Sequence, residues 1–290
     1  MGAYRRPKKM RNKVNLICFL AFVTTLLFTS AVSPAEAQSQ RFKINSETGV
    51  PDDAKENAHI AVDATLRFFK ETYNLELKKD YRIILVANKE SYAATLVREA
   101  KIDQKEAERR ARTTLGWSTY DVIIQNAGEM KVPRRRVYNM SHEVAHKFQS
   151  EECSGNCQKI MWIYEGFATA IGSRIVEILG MRSLDQTKRA WLKDLQKISN
   201  RPSLKELKSK EDWYKALDKF GSDPTYAMAG LAALNLIERK GYHPLSVYFK
   251  KLNDWTGEDS FKVALESDMN SYENEFGTWI EKEMSTVAGE

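Results

Sequence analysis

The residues best suited to chemistry stand together at Ser141-His142-Glu143-Val144-Ala145-His146. Positions four apart lie on one face of a helix, so the imidazoles of His142 and His146 can grip a single metal ion. Glu143 follows the first imidazole directly, which puts its carboxylate beside the metal rather than on it. From there it can take a proton from the attacking water and later hand it to a leaving group. The chain has four histidines and two of them fall in this segment, so sparsity argues against accident. Two imidazoles do not complete a catalytic zinc site, which takes three protein ligands and leaves a fourth position for water. The third is expected at Glu165, nineteen residues after His146 in Trp162-Ile-Tyr-Glu-Gly-Phe-Ala168. The spacing predicts that Glu165 lies on a helix running back against the first, with Gly166 and Ala168 allowing close approach. Two histidines and one glutamate form a ligand set suited to Zn²⁺.

HEVAH, eighteen intervening residues and a Glu inside WIYEGFA resemble the gluzincin zinc metallopeptidases. The pattern is most similar to the peptidase MA-like domains related to the catalytic core of the M1 aminopeptidases. The resemblance implies zinc held by His142, His146 and Glu165, with Glu143 as general base, in a zincin-like domain acting on a peptide or protein substrate. The ligand motif is its specific part, and over the rest, from about residue 81 to the C-terminal helices, the similarity is one of helix order. Family members often place a tyrosine at the start of a downstream helix, where its hydroxyl stabilises the oxyanion. The matching position is Tyr226 in Tyr226-Ala-Met-Ala-Gly, which an ordinary helix-start tyrosine would fill equally well. The strand beside the zinc helix commonly pairs with extended substrate in such enzymes, so Trp117 to Tyr120 are expected to line the cleft. Two departures matter. The M1 enzymes read a substrate N-terminus through a GxMEN-type segment, whereas residues 116–124 here read GWSTYDVII, so an endopeptidase or specialised hydrolase fits better than an aminopeptidase. Thr169 stands one turn after Glu165, where some relatives carry an acid that orients a ligand. The competing class is a gluzincin-like domain without catalysis, used for binding or structure.

Elements that would position these residues follow from periodicity. Residues 53–73 carry a helical apolar face, 81–87 read as a strand, 89–113 as one or two charged surface helices, and 116–124 as a second strand. From Pro133 onward helical spacing recurs at 134–151, 161–180, 185–198, 223–239, 243–253 and 270–285, with breaks at Gly155, Gly180, Pro202, Gly221–Pro224, Gly241–Pro244 and Gly257. The expected class is α+β, a small mixed sheet followed by a mainly helical part within one catalytic domain over 38–290. Residues 38–52 are polar and read as a mobile entry strand. His59 and His243 read as ordinary histidines, and most of the six tryptophans as core. Arg134-Arg135-Arg136 reads as a solvated charge run, with a clamp for an acidic substrate as the alternative.

A net charge of +6 and a pI near 9.0 first suggest nucleic acid. Residues 1–37 hold six of the 45 basic groups and one of the 39 acids, which leaves 39 basic against 38 acidic groups over the remaining 253 residues. With no global positive field there, a phosphate-backbone partner is not expected. The basic stretch precedes an apolar run from Val14 to Phe28 and a small-x-small site at Ala35-Glu36-Ala37. These are the three parts of a secretory signal peptide, cleaved after Ala37. An uncleaved membrane anchor is the alternative, and would be the chain's one contact with a membrane. The mature chain is expected to be exported (secreted, periplasmic or on the cell surface), with a monomer as the default. Beyond Cys18 in the leader only Cys153 and Cys157 remain, an even pair expected to close as a disulfide in an oxidising compartment. The rival reading, two members of a zinc site, lacks further cysteines.

Overall fold

A computed structural model describes residues 39–289, and the expected leader of 1–37 lies outside the described residues. The first elements among the described residues are β1 (Phe42–Ser46), α1 (Asp52–Tyr73) and β2 (Tyr81–Leu85). Asp52 and Asp53 occupy the first turn of α1, where the helix dipole favours acids. The helix stops at Asn74, whose left-handed backbone (φ 53°) lets its N–H donate to the Lys70 carbonyl and that of Leu75 to the Phe69 carbonyl. Next come α2 (Lys89–Thr95), capped reciprocally by Asn88 and Ser91, and a π turn at Leu96–Ala100. They are followed by α3 (Gln104–Thr113), β3 (Gly116–Ser118) and β4 (Val122–Gln125).

The sheet has the order β1-β2-β4-β3, the first three strands parallel and β3 antiparallel to β4. The architecture is therefore α+β, a small mixed sheet followed by helices. The apolar run at 116–124 is two strands rather than one, because Thr119 Oγ1 accepts from Val122 N and folds the chain back at 119–121. Residues 42–46, expected as a loose entry, are a paired edge strand anchored by the buried ring of Phe42 stacked on Tyr81. Strand alternation gives the sheet two apolar faces. Ile83, Leu85 and Ile123 join the main core, whereas Val122 and Ile124 meet Tyr92, Leu96, Ala107 and Ala111 of the α2–α3 layer.

The helical part runs α4 (Pro133–Glu152), α5 (Met161–Ile178), α6 (Leu184–Gln196), α7 (Lys210–Phe220), α8 (Ser222–Lys240), α9 (His243–Lys251), α10 (Gly257–Leu265) and α11 (Met269–Ala288). Two of these helices were not expected. In α7, Ser209 accepts from Asp212 N and Trp213, Ala216 and Leu217 bury one face, a short stripe between dense charges. In α10, Gly257 is the first helical residue rather than a break, and a Cβ there would come within 2.7 Å of Ile160 Cγ1. Helix α5 is the central element, buried from Met161 to Ser173 and packed on both α4 and α8. A Cβ at Gly166 would lie 2.3 Å from the Ala229 carbonyl oxygen, so this glycine serves the crossing with α8. The close approach to α4 falls instead at Gly172, where a Cβ would lie 2.8 Å from the Tyr138 carbonyl oxygen.

Gly166→Ala must push α5 and α8 apart, and urea unfolding is expected to show a loss of about 1–3 kcal/mol. Gly277→Ala, in an exposed position of α11 with nothing near its Cβ, is expected to shift stability the other way by about 0.5–1 kcal/mol.

Candidate metal centre

Helix α4 starts at Pro133, whose missing N–H costs nothing at a helix N-terminus. One of its faces meets the sheet. A Cβ at Gly116 would lie 2.5 Å from Asn139 Oδ1 and 2.6 Å from Glu143 Oε1, so both side chains rest against bare backbone of β3. One turn on, the buried Lys147 donates through Nζ to the carbonyls of Thr119 and Val122 in the β3–β4 turn. Burial pulls this ammonium down to about 7, against the opposing charges of Glu143 and Asp121. Asn139, Glu143 and Lys147, spaced i, i+4 and i+8, thus form the stripe that holds α4 on the hairpin.

The other face carries the candidate ligands. His142 Nε2 and His146 Nε2 lie 3.0 Å apart, and Glu165 Oε2 from α5 lies 3.3 and 3.5 Å from them. All three residues are buried and their candidate ligand atoms converge. A tetrahedral zinc with bonds of about 2.0–2.1 Å separates its ligands by about 3.3–3.4 Å; the two spacings to Glu165 lie close to that and the one between the imidazoles, 3.0 Å, is shorter. Glu165 Oε2 is buried without an aligned hydrogen bond, an oxygen that a cation would satisfy. The three residues therefore fit a metal ion. Burial pushes the Glu165 carboxyl up, but the neighbouring His146 and His142 hold it down at about 2, so it is ionised. Glu143 is not among the three ligands, as its place next to His142 predicts. Burial raises its carboxyl above the usual range against the pull of both imidazoles.

Helices α4, α5 and α8 supply the surroundings. Gln149 Oε1 lies 2.6 Å from His146 Nδ1 while its Nε2 donates to the Tyr164 carbonyl at 2.8 Å. Thr169 Oγ1 lies 3.4 Å from His142 Nδ1, so the residue one turn after Glu165 does reach a ligand. The Tyr164 ring stacks on His146 at 4.2 Å, and Tyr226, in the first turns of α8, lies edge-on to His142 at 5.8 Å. Burial, with the carboxylates of Glu165 and Glu143, pushes the Tyr226 hydroxyl well above the ordinary phenol range, so it keeps its proton and can donate. Cys153 and Cys157 are paired across the α4–α5 connection, their Cα atoms 5.4 Å apart.

Trp117, expected at the cleft, stands on the other face of β3. Gly116 and Ser118 face α4, so alternation turns Trp117 toward α3, where Arg110 Cζ lies 3.5 Å from its ring. Arg134 and Arg135 are exposed, while Arg136 turns inward to Asp53 at 2.6 Å and the Met130 carbonyl at 2.7 Å. His59 and His243 are exposed. Gln149, Tyr164, Lys147 and Gly116 were not picked out in advance. For Gln149 a signal existed, its i+3 position on the ligand face after His146.

No protein-family model, no curated protein and no solved structure matches this chain. Metal analysis of the purified chain is expected to find about one zinc per molecule, the number a three-ligand site holds. Glu165→Ala is expected to lose most of it, and equal zinc in both proteins would count against Glu165 as ligand.

Proposed function

We propose that this chain is an exported zinc-dependent metallohydrolase of the gluzincin type that cleaves peptide bonds. The observation that supports it best is the convergence of His142, His146 and Glu165 near tetrahedral spacing, with Glu143 adjacent on the same helix and outside the ligand set. When bound, zinc supplies Lewis acidity toward a substrate carbonyl and lowers the pKa of water. Glu143 takes the proton from the attacking water and delivers it to the amine nitrogen as the peptide bond breaks. Tyr226 donates its hydroxyl to the oxygen that gains negative charge. The β3 edge beside Glu143 offers backbone groups to an extended peptide, which would add as a further strand. Export rests on the N-terminal sequence pattern and accords with the paired cysteines. No described helix is long and apolar enough to cross a membrane.

A second reading is a zinc-stabilised binding module. It is favoured by the enclosure of the centre, where His142, Glu143 and His146 are each 5% exposed and Glu165 is 9% exposed. Retained zinc with no cleavage across a peptide library would select it.

The deciding experiment compares zinc content and peptide hydrolysis in the parent and Glu143→Gln. The variant is expected to keep its zinc and lose turnover, and equal activity would end the proposed mechanism. Tyr226→Phe is expected to lower kcat by about 10²-fold with little change in KM, the loss typical of one oxyanion donor.

A further inference from the structure

The geometry points to Gln149 as the residue that fixes the tautomer of His146 and thereby sets the metal affinity of the centre. The inference rests on the metal-binding part of the proposed function and is independent of peptide cleavage. Gln149 is 1% exposed, so water does not compete for its amide. Its two ends have unlike partners. The Tyr164 carbonyl, 2.8 Å from Nε2, can only accept, which requires the amide nitrogen at that end. The oxygen must then face His146 Nδ1, 2.6 Å away, and an amide oxygen also only accepts. Nδ1 therefore carries the proton. A neutral imidazole has one N–H, so Nε2 keeps its lone pair, directed toward His142 Nε2 at 3.0 Å and Glu165 Oε2 at 3.5 Å.

His142 lacks an equivalent device. Its Nδ1 faces the Thr169 hydroxyl at 3.4 Å, a group that serves as donor or acceptor and selects no tautomer. The same Gln149 amide also joins α4 to α5 one residue before Glu165. Gln149 is thus a positioning residue that acts through His146. An unlocked imidazole would divide between tautomers, and the form protonated at Nε2 cannot bind the ion until it rearranges.

The test measures zinc affinity by chelator competition on the full chain, for the parent, Gln149→Met and Gln149→Glu. Gln149→Met removes both hydrogen bonds at similar volume and is expected to weaken binding by about 10–100-fold, the usual effect of losing a partner to a ligating histidine. Gln149→Glu keeps an acceptor for Nδ1–H but has no donor for the Tyr164 carbonyl, and is expected to stay near the parent. Equal affinity in parent and Gln149→Met overturns the inference. Equal losses in both variants also overturn it, since Gln149 then only ties the helices. A parent that takes up no zinc removes the metal reading itself, a result distinct from either. Long-range imidazole ¹⁵N–¹H correlation spectra of the zinc-free parent are expected to show His146 protonated at Nδ1. If Gln149→Met does not fold, that spectrum decides, and an Nε2–H form overturns the inference.

Discussion

Most of this structure answers to one constraint, an ionised carboxylate held inside the central helix. Glu165 lies in the middle of a run from Met161 to Ser173 that is buried throughout. A buried charge is costly unless something of opposite sign or suitable polarity meets it. The neighbouring helix sets two imidazoles against Glu165 Oε2, and that same oxygen, buried without an aligned hydrogen bond, is where a cation would complete the balance. The α4–α5 crossing is correspondingly well specified. Gly172 removes a side chain at the crossing, Gln149 and Thr169 join the helices on either side of the ligands, and the paired cysteines close the turn between them.

Helix α4 is consequently committed on two sides. Its ligand stripe belongs to α5, and its second stripe (Asn139, Glu143 and Lys147) belongs to the β3–β4 hairpin. These stripes share one rigid backbone, so the position of Glu143 relative to the two imidazoles is set by helix geometry, and its position relative to β3 by the hairpin. Gly116 is the point of contact between them. The small sheet, peripheral to the bulk of the core, thus bears directly on the arrangement of the centre.

The aromatic frame adds shape without adding charge. Tyr164 and Tyr226 pack on the two imidazoles, and Trp213 packs on Tyr226 at 5.1 Å, which carries the enclosure outward to α7. In such a low-dielectric setting each remaining polar contact weighs more, and the tyrosines keep their hydroxyl protons. Helix α5 supplies a candidate ligand, a carbonyl for Gln149 and a hydroxyl for His142.

By itself the sequence determined whatever depends on spacing along a single element. His142 and His146 are four apart, so any helix through them puts both on one face, and Glu143 must then point beside them. Apolar periodicity marked most long helices in the same way, whereas Glu165 was expected from the need for a third ligand and its place in the downstream WIYEGFA segment. Tertiary structure decided whatever depends on which element comes to rest against which. Gly166 could have served either neighbour, and packing against Ala229 assigned it to α8. Trp117 read as a cleft residue until the pairing of β3 with β4 turned it to the far face. Helices α7 and α10 carry stripes too short to stand out among charges and become helical by burying them against elements distant in sequence. The place of Gln149 three residues after His146 is legible in the sequence, but its partner, the Tyr164 carbonyl, comes from α5, and a hydrogen bond between helices leaves no trace in local pattern.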